Sequence, residues 1–223
     1  MSTGAQARAE TRADATETVT TPAGDARITW YRGTGPARAV VALGHGAGGG
    51  IEARDLRALA AALPARGYTV ALVEQPWRVA GKKVAPAPRT LDAGWTALWP
   101  ALAKPGLPVV AGGRSAGARV ACRTARELGA VAVLALSFPL HPPGRPEKSR
   151  ADELTGAGVP TLVVQGGRDP FGRPEEFPPG TVISEVPHGD HGFAVPKSAG
   201  VGEPESMAVI TDAVVPWLDG VLG

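Results

Sequence analysis

Five short runs in this chain are apolar at nearly every position, and each is followed by a loop or a helical pattern. They are "AVVAL" (residues 39–43), "YTVALV" (68–73), "PVVAG" (108–112), "AVAVLAL" (130–136) and "PTLVVQ" (160–165). A strand that faces water on one side alternates apolar and polar residues. Continuous runs of this length read instead as strands buried on both faces, as in a parallel sheet. Two further candidates, "ARITWY" (26–31) and "TVISEV" (181–186), lie at the two ends of the series. Helical patterns fall between or after the runs at residues 51–67, 115–129 and 203–222. In the first, Leu56, Leu59, Ala60 and Leu63 recur at helical spacing, and Gly67 supplies the stop. Strand–helix–strand alternation predicts an α/β fold with a mostly parallel, twisted sheet flanked by helices.

Length and composition narrow the function classes. A chain of 223 residues suits one domain, read as spanning residues 23–223. A formal net charge of +2, with the basic residues scattered, gives no footprint for nucleic acid. No apolar run is long enough for a membrane helix. The first residues, "MSTGAQARAETRADATETVT", lack the apolar core of a secretory signal, and Glu10, Asp14 and Glu17 are foreign to a transit peptide. Residues 1–22 are therefore expected to form a polar, disordered tail on a cytoplasmic protein. Cys122 is the one cysteine, which rules out an internal disulfide, and no His/Cys/acid cluster has metal spacing. Neither a metal nor a cofactor is implied.

Two stretches interrupt the alternation. Residues 76–95 and 138–154 are rich in Pro, Arg and Lys, and each follows a candidate strand. Both should lie at the carboxyl edge of the sheet, where open α/β sheets bind ligands.

The chemistry centres on "GGRSAG" (112–117). Ser115 sits between Gly113 and Gly117, after a buried strand and before a helix, as a sharp strand-to-helix turn carrying a nucleophile requires. A plain helix N-cap is the alternative for such a serine. Two partners follow in the order acid, then histidine. Asp169 lies in "GGRDPFG" beyond "PTLVVQ", with Asp152 and Asp190 as rivals that do not follow an equivalent strand. A histidine follows "TVISEV" in "PHGDHGF", where spacing alone does not separate His188 from His191.

These segments, with "LGHGAGGG" (43–50) and "GDHGF" (189–193), resemble the α/β-hydrolases, in the small branch without a large cap that includes dienelactone-hydrolase-like and testis-expressed-hydrolase-like proteins. The resemblance runs from Ala26 to the C-terminus. It implies a Ser115–His191–Asp169 triad, with His191 preferred over His188 because Asp190-His191-Gly192-Phe193 matches the family pattern. It further implies acyl transfer to water, with an oxyanion hole built from the N–H groups of Ala116 and Ala47. No helical pair follows "AVAVLAL", so a minimal cap or none is expected, with an open cleft suited to small carboxylic esters, thioesters or lactones as acyl substrates.

Arg114, Trp77 and His45 complete the candidate substrate site. His45 is read as shaping the oxyanion loop through hydrogen bonds. Trp77, with Trp95 and Trp99, either lines a substrate pocket or packs the Pro-rich stretch. Arg114 has two readings. It could recognise an anionic substrate with Arg78, Lys82, Lys83, Arg145 and Arg150, or it could pair with Glu74. A buried guanidinium needs a partner, which favours the pair. Cys122, two helical turns beyond Ser115, is expected to pack in the core.

Two rival functions remain in view. Gly44, Gly46 and Gly49 satisfy G-x-G-x-x-G, and Glu74 ends the next strand, as in a dinucleotide-binding oxidoreductase. With five glycines among seven residues, however, such a match is nearly unavoidable. The other rival is a non-catalytic scaffold of the same fold.

Overall fold

The computed structural model describes residues 13–223. One eight-stranded sheet runs through it: β1 (Ala15–Thr21), β2 (Gly24–Tyr31), β3 (Ala39–Gly44), β4 (Tyr68–Glu74), β5 (Val109–Arg114), β6 (Ala132–Leu136), β7 (Thr161–Gly166) and β8 (Val182–Val186). The spatial order is β1-β2-β4-β3-β5-β6-β7-β8. Only β2 runs against its neighbours; β3 through β8 are mutually parallel.

Alternation along each strand explains the unbroken apolar runs. In β3, Val40 and Ala42 face one core, while Ala39, Val41 and Leu43 face the other. Helices α1 (Arg54–Ala62) and α6 (Glu203–Leu222) cover the second face through Leu56, Leu59, Ile210 and Val214. The first face is covered by α2 (Pro76–Val79), α3 (Pro88–Ala103), α4 (Ala116–Leu128) and α5 (Ala151–Thr155), with Trp95, Leu98, Val120 and Leu154 buried there. Cys122 is 1% exposed in the same core, as expected.

Three expectations need correction. The tail predicted over residues 1–22 is structured in its second half, because Ala15–Thr21 forms β1; its residues 1–12 lie outside the described residues. "ATETVTT" pairs antiparallel with β2 from Ala15–Trp30 to Thr21–Gly24. Its β-branched Thr and Val favour the strand, while its largely exposed edge position needs no apolar face.

The stretch 76–95 is not irregular either. It holds all of α2 and the first half of α3, with Pro76 and Pro88 in first turns, where a missing N–H leaves no bond unmade. Leu91, Trp95, Leu98 and Leu102 then form the buried stripe of α3. Finally, the helix expected over 51–67 is shorter. It stops at Ala62, and a single 3₁₀ turn leads to Gly67 at φ 82°.

Between β6 and β7 the chain makes only a 3₁₀ turn (Pro146–Lys148) and the five-residue α5. No large cap covers the carboxyl edge. The chain leaves β3 toward β4 on one side and β5 toward β6 on the other, so the sheet's topological switch lies at the paired ends Gly44 and Gly113.

Candidate active site

Ser115 occupies that switch point. It joins β5 to α4 with φ 53° and ψ −109°, a strained backbone for a residue with a side chain. Such conformations cost about 1–3 kcal/mol and persist only when the surroundings enforce them. The enforcement comes from close packing: a Cβ on Gly113 or Gly117 would lie 2.4 or 2.5 Å from the Gly44 carbonyl oxygen. The Ser115 N–H donates to Leu136 O at 2.9 Å, tying the turn to β6. Ala116 is the first residue of α4, so its N–H belongs to the set that an α-helix leaves without an internal partner.

Asp169 and His191 converge on the serine from the loops after β7 and β8. His191 Nε2 lies 2.9 Å from Ser115 Oγ, and Nδ1 lies 2.7 Å from Asp169 Oδ2. Asp169 is 1% exposed and well supplied with donors. Its Oδ1 accepts the Phe171 N–H at 2.8 Å, and its Oδ2 also accepts Gln165 Nε2 at 2.9 Å. An acceptor carboxylate at Nδ1 places the imidazole proton there. Nε2 is then left as the acceptor for the serine hydroxyl. Phe171 stacks on the imidazole with ring centroids 4.2 Å apart.

The rivals are occupied elsewhere. Asp190 Oδ1 accepts the N–H groups of Gly192 and Ala194 and so shapes the loop that carries His191. Asp152 belongs to the first turn of α5. His188 is exposed, at φ 59°.

The loop after β3 folds over the turn. A Cβ on Gly46 would lie 3.4 Å from the Ser115 Cβ, so this glycine allows the loop to close on the serine. Ala47, next along, is exposed. His45 is 3% exposed, with Nδ1 2.8 Å from Gly46 O and Nε2 accepting the Gln75 N–H at 3.1 Å. Burial holds its imidazole below the ordinary histidine range, in the neutral form this pattern needs. Both ring nitrogens are used within the protein, so His45 supports the loop and offers no polar atom to a substrate.

Trp77 is 6% exposed and packs its ring 5.5 Å from that of His45. It borders a crevice of only about 10 Å³ that Leu91, Ala116 and Val120 also line. It also lines a cavity of about 350 Å³, together with Val79, Lys82, Val84 and Pro86 among others. Trp95 and Trp99 pack against each other in α3, Trp95 being 1% exposed. A larger cavity of about 550 Å³ lies by Val159, Thr161 and Thr181, near the amino ends of β7 and β8, and has no titratable lining. It is at the wrong end of the sheet for Ser115.

The Arg114–Glu74 pair is not formed. Glu74 meets Arg27 at 3.0 Å, across the β2–β4 register. Arg114 points to Asp55 instead, Nε to Oδ2 at 3.5 Å, and its Nη2 donates to His191 O at 2.8 Å. Glu74 and Arg114 end strands that have β3 between them, whereas Asp55, in the first turn of α1, reaches the Arg114 side chain. Among the other basic candidates, Arg78 pairs with Glu52 at 3.0 Å and Arg150 donates to Pro139 O at 2.8 Å.

Asp55, Gln165 and Phe171 escaped the sequence reading. Asp55 had a signal, since it shares a helical face with the apolar Leu59. Gln165 is the one polar residue of "PTLVVQ", four positions before Asp169. Phe171 had none, because a loop aromatic carries no periodicity.

Fold and site together define a lidless α/β-hydrolase architecture, with a serine on a strained turn at the carboxyl edge of the sheet. Residues 37–219 match the alpha/beta hydrolase domain, and the chain belongs to that family. No curated protein matches the chain. Among solved structures it is similar to a lidless a/b serine hydrolase of Xanthomonas campestris, with 17% identity, 91% of this chain and 94% of that chain covered, and a TM-score of 0.70. An alpha-beta serine hydrolase homologue from Coxiella burnetii superposes with a TM-score of 0.72 at 14% identity, covering 91% and 98%. Dienelactone hydrolase from Anabaena variabilis gives 0.69 at 19% identity, covering 92% and 96%. Among the described residues no cluster of three or more His, Cys, Asp or Glu could hold a metal ion, and no helix is long and apolar enough to cross a membrane.

Proposed function

We propose that the protein is a serine hydrolase that cleaves small carboxylic esters, thioesters or lactones through an acyl-enzyme. The observation that carries this reading is the hydrogen-bonded series Ser115 Oγ–His191–Asp169, at 2.9 and 2.7 Å. In the first half-reaction Ser115 Oγ bonds to the substrate carbonyl carbon as its proton passes to His191 Nε2. Asp169 stabilises the resulting imidazolium and stays ionised. The carbonyl oxygen becomes an oxyanion that accepts the N–H groups of Ala116 and Ala47. Each such donor contributes about 3 kcal/mol in the transition state. Collapse breaks the carbon–heteroatom bond, and His191 returns its proton to the leaving alcohol, thiol or ring oxygen. Water then repeats the sequence on the acyl-serine and releases the acid and the free enzyme.

The open carboxyl edge and the narrow crevice beside Ala116 favour a small acyl group with a solvent-exposed leaving group. Similarity to a dienelactone hydrolase is consistent with that size class. The soluble small-molecule substrate fits a cytoplasmic setting. Turnover of a panel of C2–C8 esters, acyl thioesters and lactones tests the reading, with Ser115→Ala as control. Activity on at least one class that Ser115→Ala abolishes is expected. Equal activity in wild type and variant would take Ser115 out of the chemistry, and no activity in either folded protein would replace the reading with a scaffold role.

A further inference from the structure

Arg114 precedes the proposed nucleophile, and its guanidinium reaches Asp55 and the backbone of His191. The side chain is only 18% exposed and spans two other segments. Behind it, Nε lies 3.5 Å from Oδ2 of Asp55, whose side chain is fully buried in the first turn of α1. In front, Nη2 donates to the backbone carbonyl of His191 at 2.8 Å. Gly192 leaves room for this approach, since a Cβ there would stand 3.3 Å from Nη2.

A buried carboxylate without hydrogen-bond partners carries a large desolvation penalty, which a nearby cation offsets. Burial pushes the Asp55 carboxyl up, and the charge of Arg114 opposes that push. The pair is therefore costly to keep if its only product is stability, because apolar residues of similar size would serve the fold as well. What it supplies beyond stability is a rigid cation at one point: the backbone of the residue that must hold Nε2 against Ser115. The planar fork of arginine suits two simultaneous directions, which a lysine ammonium on a flexible stem does not.

We infer that Arg114 is a positioning residue for acyl transfer: anchored by Asp55, it clamps the carbonyl of His191 and so sets the imidazole against Ser115 Oγ. The inference rests on the hydrolase reading above and extends it to two residues outside the Ser–His–Asp series.

Arg114→Met alone leaves the buried Asp55 carboxyl without its cationic partner and lowers the melting temperature, so the decisive protein is Asp55→Leu combined with Arg114→Met, in which both partners are gone. Four readouts are needed: kcat, KM, melting temperature, and the low-field proton resonance of His191 Nδ1–H. The last reports imidazole placement whether or not an ester turns over. The double variant is expected to melt near wild type, to lose about a hundredfold in kcat with little change in KM, and to shift or lose the resonance. Arg114→Lys, which keeps the countercharge and the fold but not the fork, is expected to lose about tenfold in kcat.

Wild-type kcat and resonance in the folded double variant would overturn the clamp. So would a loss confined to KM, which would make Arg114 a substrate-binding group. If the double variant fails to fold, Arg114→Lys decides by the same two readouts. If wild type turns over no ester, the hydrolase reading fails separately. The resonance then decides the clamp alone: displaced in the variants it stands, unchanged it falls.

Discussion

Asp169 and His191 meet through one carboxylate oxygen, Oδ2 to Nδ1 at 2.7 Å, and Gln165 Nε2 donates to that same oxygen at 2.9 Å. The amide holds Oδ2 from the sheet side, since Gln165 is the penultimate residue of β7 and itself fully buried. Its Nε2 also reaches the carbonyls of Gly172 at 2.8 Å and Phe138 at 3.3 Å, so its orientation is fixed on several sides. The carboxylate is thus held at Oδ2 from the strand and at Oδ1 from its own loop, through the Phe171 N–H.

That geometry makes the tautomer of His191 the sensitive quantity. Asp169→Asn would turn an amide toward Nδ1, draw the ring proton to Nε2, and leave Ser115 without an acceptor. The expected result is a fall of about 10⁴-fold in kcat with the fold intact. Steady-state kinetics with a circular dichroism check measure it. A loss of less than tenfold would remove Asp169 from the mechanism.

Trp77 lines both the crevice of about 10 Å³ beside Ala116 and the cavity of about 350 Å³, as Gln75 does. Trp77→Leu should join the two spaces and move acyl preference toward longer chains. Each methylene accommodated is worth about 1–3 kcal/mol in discrimination, so the hexanoate-to-acetate ratio of kcat/KM should rise at least about tenfold. An unchanged chain-length profile would place the acyl group elsewhere.

Glu153 on α5 joins Arg119 and Arg123 on α4, and Arg123 continues to Asp92 on α3. Burial opposes ionisation of Glu153, but the Arg119 hydrogen bond and the two guanidinium charges outweigh it and hold its carboxyl below the usual range. A depressed carboxyl pKa contributes stability that is present above the unfolded value of about 4.3 and is lost as pH falls through the folded one. Glu153→Gln should therefore lower stability by about 2 kcal/mol at neutral pH. The difference should shrink below about pH 4. Thermal melts of both proteins from neutral to acid pH test this; a constant difference would contradict it.

Cys122 has its thiol pushed up to about 12, by burial first and then by the charge of Glu153. The thiolate is the reactive form, so native protein should resist iodoacetamide at pH 8, and unfolded protein should react fully. Mass spectrometry before and after denaturant reads the result, and fast labelling of the native chain would place Cys122 outside the core.

Much of this was legible in the sequence for a physical reason. Strands buried on both faces must be apolar throughout, and β3 to β7 announced themselves that way. Gly113 and Gly117 were readable because the close approach of Gly44 tolerates no side chain at either place. Edge strand β1 was not, since an exposed strand needs no apolar signature and "ATETVTT" has the composition of a tail. The start of helix α3 was hidden by Pro86 and Pro88, since proline marks irregular chain in most settings and yet is harmless in a first helical turn, where Pro88 stands. The partner of Arg114 was missed because Glu74 is close in topology and Asp55 close only in space. Long-range ion pairs leave no spacing to read.

An activated Ser115 should take a covalent label that an ordinary serine does not. Wild type and Ser115→Ala should be exposed to a fluorophosphonate and read by intact mass. One adduct on wild type, mapping to Ser115, and none on the variant are expected. A folded wild type that takes no adduct, or an adduct that survives in Ser115→Ala, would contradict an activated Ser115.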